Sequence, residues 1–288
     1  MPTCAFLSTD DLEGYFVYDE LCYPALAELG WSTRAVPWRA EVDWRDFDLV
    51  VIRSPWDYHQ EVDRFLDVLA RIDRATRLEN SLEVVRWNID KRYLRDLESQ
   101  GVPAVPTLWR EAGAPLDASL FESLGSERAV IKPTVSASAH HTYVLEAASF
   151  EGKRAEMEAI FATRDSMIQP FVPAIVEEGE ISLFFFSGEL SHAILKTPRE
   201  GDFRVQEEHG GRIVALEKPS HAMIDAARRA LAAVPDPVLY GRVDLVRYGG
   251  PETYVVMELE LIEPSLYFPQ DPGSPERFAR AIDAALRG

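Results

Sequence analysis

The stretch 241–266, GRVDLVRYGGPETYVVMELELIEPSL, decides how the rest of the chain is read. Two runs rich in Val, Leu and Tyr flank a Gly249-Gly250-Pro251 break, which is the pattern of a β-hairpin. Side chains alternate along a strand, so Val256, Glu258, Glu260 and Ile262 are expected on one face and Val255, Met257, Leu259 and Leu261 on the other. With a loop of roughly five residues, Asp244 falls opposite Glu258. Three carboxylates then crowd one patch. Such charges repel unless water screens them, one takes a proton, or a cation neutralises them; the last option points to magnesium. An acidic chain also sets Glu on the solvent side of a half-buried strand, and the hairpin alone does not separate these readings.

The chain has 288 residues, enough for two or three compact subdomains, with 47% hydrophobic and 27% charged residues. A formal net charge of −18 argues against a nucleic-acid or anionic-membrane partner, since both demand basic surfaces. Cys4 and Cys22 show neither pairing nor metal-ligand spacing, as expected in a reducing cytoplasm. Asp10, Asp11 and Glu13 interrupt the N-terminus before an apolar signal core forms, and no run approaches a membrane span.

Of the 30 basic residues only five, Lys91, Lys132, Lys153, Lys196 and Lys218, are lysines. Lys132 ends the apolar run AVIK and Lys196 ends LSHAILK, and a strand ammonium needs an anionic partner. The N-terminal third alternates strands (3–8, 32–36, 49–53) with helices (18–29 and a stripe of Val62, Phe65, Leu66, Leu69 and Ile72), which opens an α/β sheet. Arg53, Trp56 and Tyr58 follow the third strand, where ligands of open α/β sheets bind. Asp90 is a plausible N-cap for the helix carrying Leu94 and Leu97, with Lys91 in its first turn. After Lys132 runs TVSASAHHT, small and hydroxylic, suited to bending over phosphates through main-chain N–H groups and Ser136 and Ser138. The Pro-flanked stretch 167–173 suits a hinge between lobes whose backbone amides face an adenine edge. Neither P-loop nor Rossmann glycine patterns, a nucleophile elbow, nor zinc-ligand spacing occurs.

Taken in order, these segments resemble the ATP-grasp superfamily over essentially the whole chain. NIDKRYL and VIKP look like the two nucleotide lysines, Lys91 and Lys132, and TVSASAHHT like the flexible phosphate loop. IQPFVP resembles the adenine hinge (Gln169, Phe171, Val172), followed by an acidic ribose contact at Glu177 or Glu178. GDFRVQEEHGG is similar to the segment whose Arg204 contacts phosphate. RSPWDY, WNIDKRYL, KPTVSA and ELELIEPSL look closest to the glutathione-synthetase-like branch that contains the cycloserine-forming O-ureido-serine cyclo-ligase. Two departures stand out: the phosphate loop lacks glycine, and Glu260 occupies a position where many relatives carry Asn.

The resemblance implies an α/β fold with α+β lobes: an N-terminal open parallel-sheet domain (1–104), a central lobe (105–173) and a C-terminal lobe (174–288) enclosing ATP. It implies one or two Mg²⁺ ions on Asp244, Glu258 and Glu260, with Arg204, Lys196 and Arg242 in catalysis. The implied activity is ADP-forming carboxylate–amine ligation through an acyl phosphate, on small carboxylate and amine substrates, by a protein whose relatives are often homodimers. Two alternatives remain, a nucleotide-binding regulatory protein without catalysis and a ligase that adds amino acids to a protein terminus. Specificity is expected from the RSPWDY loop, the His140-His141 region and residues near Ser265.

Overall fold

Strands that are apolar on both faces need cover on both faces, which favours parallel pairing between helical layers. In the computed structural model, which describes residues 1–137 and 139–287, the runs TCAFLS and LVVIRS become β1 (Thr3–Ser8) and β3 (Leu49–Ser54). With β2 (Ser32–Pro37) and β4 (Arg77–Glu79) they form a parallel sheet of order β2-β1-β3-β4. Alternation divides its core. Ala5, Leu7, Val50 and Ile52 meet the helix Val62–Ala75 through Phe65, Val68, Leu69 and Ile72. Cys4, Phe6, Leu49 and Val51 meet the last helix, Ser274–Arg287, through Phe278 and Ile282. That second core also takes in Phe184 and Phe186, so it joins the N-terminal sheet to the C-terminal one.

Two antiparallel sheets follow. One comprises β5 (Leu108–Arg110), β6 (Arg128–Pro133), β7 (Tyr143–Glu146) and β8 (Ser166–Pro170) in the order β5-β8-β6-β7. The other comprises β9 (Glu180–Phe186), β10 (Glu189–Thr197), β11 (Arg212–Ala215), β12 (Tyr240–Arg247) and β13 (Tyr254–Glu260) in the order β11-β10-β9-β12-β13. Ala226, Ala227 and Ala230 of the helix His221–Ala232 are buried against this second sheet.

Several local readings change. The helix expected over 18–29 is a short 3₁₀ turn, Asp19–Cys22, followed by the α-helix Tyr23–Glu28, because Pro24 fits only the first turn of an α-helix. Asp90 is not the N-cap of the next helix, Tyr93–Ser99; its carboxylate accepts from Arg92 N at 2.9 Å, and Lys91 precedes the helix. Within the hairpin Asp244 does pair with Glu258, but Leu245 then pairs with Val256, so Met257 is an extra residue on β13. That bulge reverses the alternation on its far side. Val256 therefore shares a core with Leu259 and Leu261, while Val255 and Met257 pack with Val246, contrary to the strict two-residue expectation.

The outer edge of β13 is closed at Val256 by the backbone of Pro103 and Val105, and beyond it by side chains. Leu259 N donates to the Tyr93 hydroxyl (2.8 Å) and Leu259 O accepts from Asn88 Nδ2 (2.9 Å). Leu261 N donates to Asn88 Oδ1 (3.0 Å) and Leu261 O accepts from Asn80 Nδ2 (2.7 Å). Asn80, fully buried, also bonds Tyr240 O and Leu239 N. Truncation would remove a partner from four buried main-chain groups, Tyr240 N at 3.4 Å among them. Asn80→Ala is therefore expected to lower unfolding free energy by about 3–5 kcal/mol in urea titrations, each lost partner costing about 1–3 kcal/mol.

Candidate active site

The two antiparallel sheets and the loop after β3 contribute to one cavity, and its charges are drawn from distant parts of the chain. Lys91, Lys132, Lys196, Arg204 and Arg242 line it on the basic side; Glu180, Glu208, Glu258, Glu260 and Glu263 line it on the acidic side. Three of the five lysines therefore meet here in a chain of net charge −18. The flat end of β6 delivers Lys132, and the end of β10 delivers Lys196. Lys91 is placed by its own backbone, whose N–H donates to Thr134 O at 2.8 Å, and its Nζ donates to Ser136 O at 2.8 Å.

The interior of the site is a lattice of opposite charges. Asp244, buried on β12, accepts from Ser182 Oγ, Lys196 Nζ (3.2 Å) and Arg242 Nη2 (3.0 Å). Lys196 also contacts Glu180, and Arg242 also contacts Glu260. Lys91 pairs with Glu258 at 3.2 Å. These partners set the protonation states. Burial opposes ionisation of Asp244, yet Arg242 and Lys196 outweigh it and hold the acid down, to about 2. Burial likewise opposes charge on Lys196, but Asp244 and Glu180 carry its pKa upward. Lys132 lacks such support: burial pulls its pKa down, only partly offset by Glu258, and it makes no ion pair among the described residues. Burial, with Asp244 and Glu258 adding to it, drives Glu260 upward against the pull of Arg242.

The structure brings most of the residues expected from sequence to this cavity. Ser136, Gln169, Phe171, Val172, Lys196 and Arg204 all line it; Ser138 lies outside the described residues. Arg204 is held by Asp202 at 2.8 Å. Phe171 lines the cavity but does not offer its amide, which donates to Arg128 O at 2.9 Å. Glu177 and Glu178 are exposed and outside the lining, and Glu178 is tied to Arg247. Glu180 enters instead, because Gly179, at φ +102°, turns the chain where a Cβ would meet Lys196 O at 2.7 Å. Of the three acids assigned to metal, Glu258 and Glu260 line the cavity and Asp244 lies behind them in its ion pairs. Arg53 is 1% exposed and bound to Asp19, so it supports the wall rather than lining it, while Trp56 and Tyr58 do line it.

Sequence reasoning missed Tyr15, Phe203 and Tyr267, which also line the cavity and lie in irregular segments with no periodic signal. It also assigned no role to the carbonyls that follow β13. Ile262 O lies 2.8 Å from the Tyr240 hydroxyl, Glu263 O accepts from Trp56 Nε1 at 2.9 Å, and Pro264 O accepts from Arg53 at 2.8 Å. Ser265 O accepts from Arg242 at 3.3 Å, and Leu266 O is 2.9 Å from His192 Nε2. Five consecutive carbonyls are thus turned to fixed side chains. This strap runs along the cavity between β13 and the end of β3.

Comparison with known proteins agrees with this geometry. Residues 4–80 match the family model described as "D-cycloserine synthetase DcsG, N-terminal domain". Over 275 residues the chain is 32% identical to the cycloserine biosynthesis protein DcsG of Streptomyces lavendulae, covering 91% of this chain and 92% of that protein. It superposes on the crystal structure of D-cycloserine synthetase DcsG with a TM-score of 0.85 at 30% identity, covering 99% of each chain. D-alanine–D-alanine ligase from Bacillus anthracis, in complex with ATP, gives a TM-score of 0.69 at 13% identity over 100% of this chain and 97% of that one, a likeness of fold. The cleft between antiparallel sheets, its lysines and its acid strand belong to an ATP-grasp enzyme, an ATP-dependent carboxylate–amine ligase. Within that class, the chain belongs to the family of D-cycloserine synthetase DcsG. No helix among the described residues is long and apolar enough to cross a membrane.

Two outcomes are expected from the charge lattice and the strap. Lys196→Met leaves Glu180 and Asp244 buried without their shared cation and should cost about 3–5 kcal/mol in chemical denaturation. His192 is stacked on Phe184 at 4.2 Å, and burial lowers its pKa to about 4. The unfolded chain binds this proton near pH 6.5 and the folded one does not, so stability should fall by about 3 kcal/mol as pH drops from 6.5 to 4. In His192→Gln the pH dependence of the denaturation midpoint over that window should flatten.

Proposed function

We propose that the enzyme closes a ring within a small amino-acid-like substrate, joining its carboxylate to a nitrogen of the same molecule, as the name of its cycloserine-forming relative suggests. The observation that supports this most is the convergence of Glu258 and Glu260 with Lys91, Lys132, Lys196, Arg204 and Arg242 on one cavity. A carboxylate is a poor electrophile because an oxide is too basic to leave. Phosphorylation by ATP gives an acyl phosphate, whose carbonyl carbon is attacked by the nitrogen, and inorganic phosphate departs. Both stages develop negative charge on oxygen, so alignment and fixed cations account for most of the acceleration, and no protein nucleophile is needed.

The residues divide this work by chemistry. Lys132, with no ion pair of its own among the described residues, is the ammonium most free to bind a nucleotide phosphate. Arg204 offers a planar fork to phosphoryl oxygens, and Lys196 and Lys91 act as point charges. Phe171 and Val172 border the adenine position. Glu258 and Glu260 would hold magnesium through the oxygen donors that it favours. No three His, Cys, Asp or Glu side chains among the described residues form a metal-holding group. Bound magnesium would neutralise charge on the transferring phosphoryl group. Asp244 acts through Lys196 and Arg242, whose positions it fixes.

Glu258→Gln keeps the shape of the strand and removes one carboxylate. With ATP and O-ureido-serine of either hand as substrates, ADP formation followed in a coupled assay should fall by about 100-fold, the scale seen when one electrostatic contact to a transition state is lost. Unchanged turnover would sink the metal assignment.

A further inference from the structure

The strap after β13 carries one more acid, Glu263, for which the nucleotide chemistry has no use. Its side chain lines the cavity beside Tyr15, Trp56 and Tyr58. Its backbone is pinned where the Trp56 indole donates to Glu263 O at 2.9 Å. The Tyr58 hydroxyl stands next to the carboxylate, and Tyr58 itself, 4% exposed, is fixed by stacking on Phe65 at 4.8 Å. Tyr15 packs on Trp56 at 5.0 Å, so aromatic rings form the adjoining wall.

Two cations act on Glu263 from nearby, Lys91 and Arg242, but both are engaged elsewhere. Lys91 is paired with Glu258, and Arg242 with Asp244 and Glu260. Among the described residues Glu263 forms no ion pair. An ionised carboxylate removed from water is costly unless a cation meets it. Burial raises its pKa to about 7, against the pull of the Tyr58 hydroxyl and Lys91. The cavity that Glu263 lines is open to a ligand cation.

We infer that Glu263, with the Tyr58 hydroxyl and the adjoining aromatic wall, recognises a primary ammonium group of the substrate. The inference rests on the cyclisation reading, because a ring closed through another nitrogen leaves the α-ammonium charged and unreacted throughout. That group needs a counter-charge, and Glu263 supplies one at the edge of the cavity nearest the end of β3. A carboxylate beside aromatic rings selects a cation over a neutral polar group of the same size. Glu263 is then a specificity residue, separate from the pair of acids assigned to magnesium.

The test compares serine with glycerate, in which a hydroxyl replaces the ammonium, by titration calorimetry on full-length protein saturated with Mg-ADP. Wild type should bind serine about 30-fold more tightly than glycerate, the loss expected when one member of a desolvated charge pair is removed. In Glu263→Gln the two affinities should become equal through weakened serine binding, while Mg-ADP affinity stays within about twofold and so reports an intact fold. Equal affinities in wild type, or a preference retained in Glu263→Gln, would overturn the inference. So would a parallel loss of Mg-ADP affinity, which would assign Glu263 to the nucleotide. Failure of wild type to form ADP from ATP with O-ureido-serine would count against the cyclisation reading alone, since the calorimetric comparison requires no turnover.

Discussion

Neighbouring carboxylates cannot be taken out of water without cations between them, and much of this molecule is arranged around that constraint. Asp244, Glu258 and Glu260 stand on adjacent strands, and each is met by a basic residue from somewhere else: Lys196 from β10, Lys91 from the loop before Tyr93–Ser99, Arg242 from the same strand as Asp244. The lattice keeps Lys196 and Arg242 charged and Asp244 ionised. Glu260 is matched within the protein by Arg242.

The same lattice separates two kinds of cation. Lys91, Lys196 and Arg242 are already committed to carboxylates, whereas Lys132 makes no ion pair among the described residues. A polyphosphate entering the cavity meets one ammonium directly and must compete for the others. The least satisfied charge in the cavity is therefore Lys132.

Much of this was legible in the sequence because it depends on local chemistry. Gly249-Gly250-Pro251 marks the hairpin, and counting back from it places Asp244 against Glu258, as the register shows. Lysines at the ends of apolar runs, Lys132 and Lys196, point to the site because isolated strand ammonium groups need anions. What escaped depends on irregular backbone. The Met257 bulge has no compositional mark, and it moves Val256 to the opposite core. Glu177 and Glu178 are nearer the hinge in sequence than Glu180, but the turn at Gly179 decides which acid enters the cavity. Trp56 follows β3 in sequence, but its bond to Glu263 O, 207 positions later, has no local signal.

The strap from Ile262 to Leu266 meets a different side-chain donor at each of its five carbonyls. Its backbone is held in place while the side chains of Glu263 and Ser265 remain on the cavity side. Inserting or deleting a single residue would move every carbonyl off its donor at once, whereas exchanging a side chain disturbs none of them. Diversification of substrate choice along this segment is therefore channelled into substitutions at constant length, and related enzymes that differ here should differ in letters rather than in spacing.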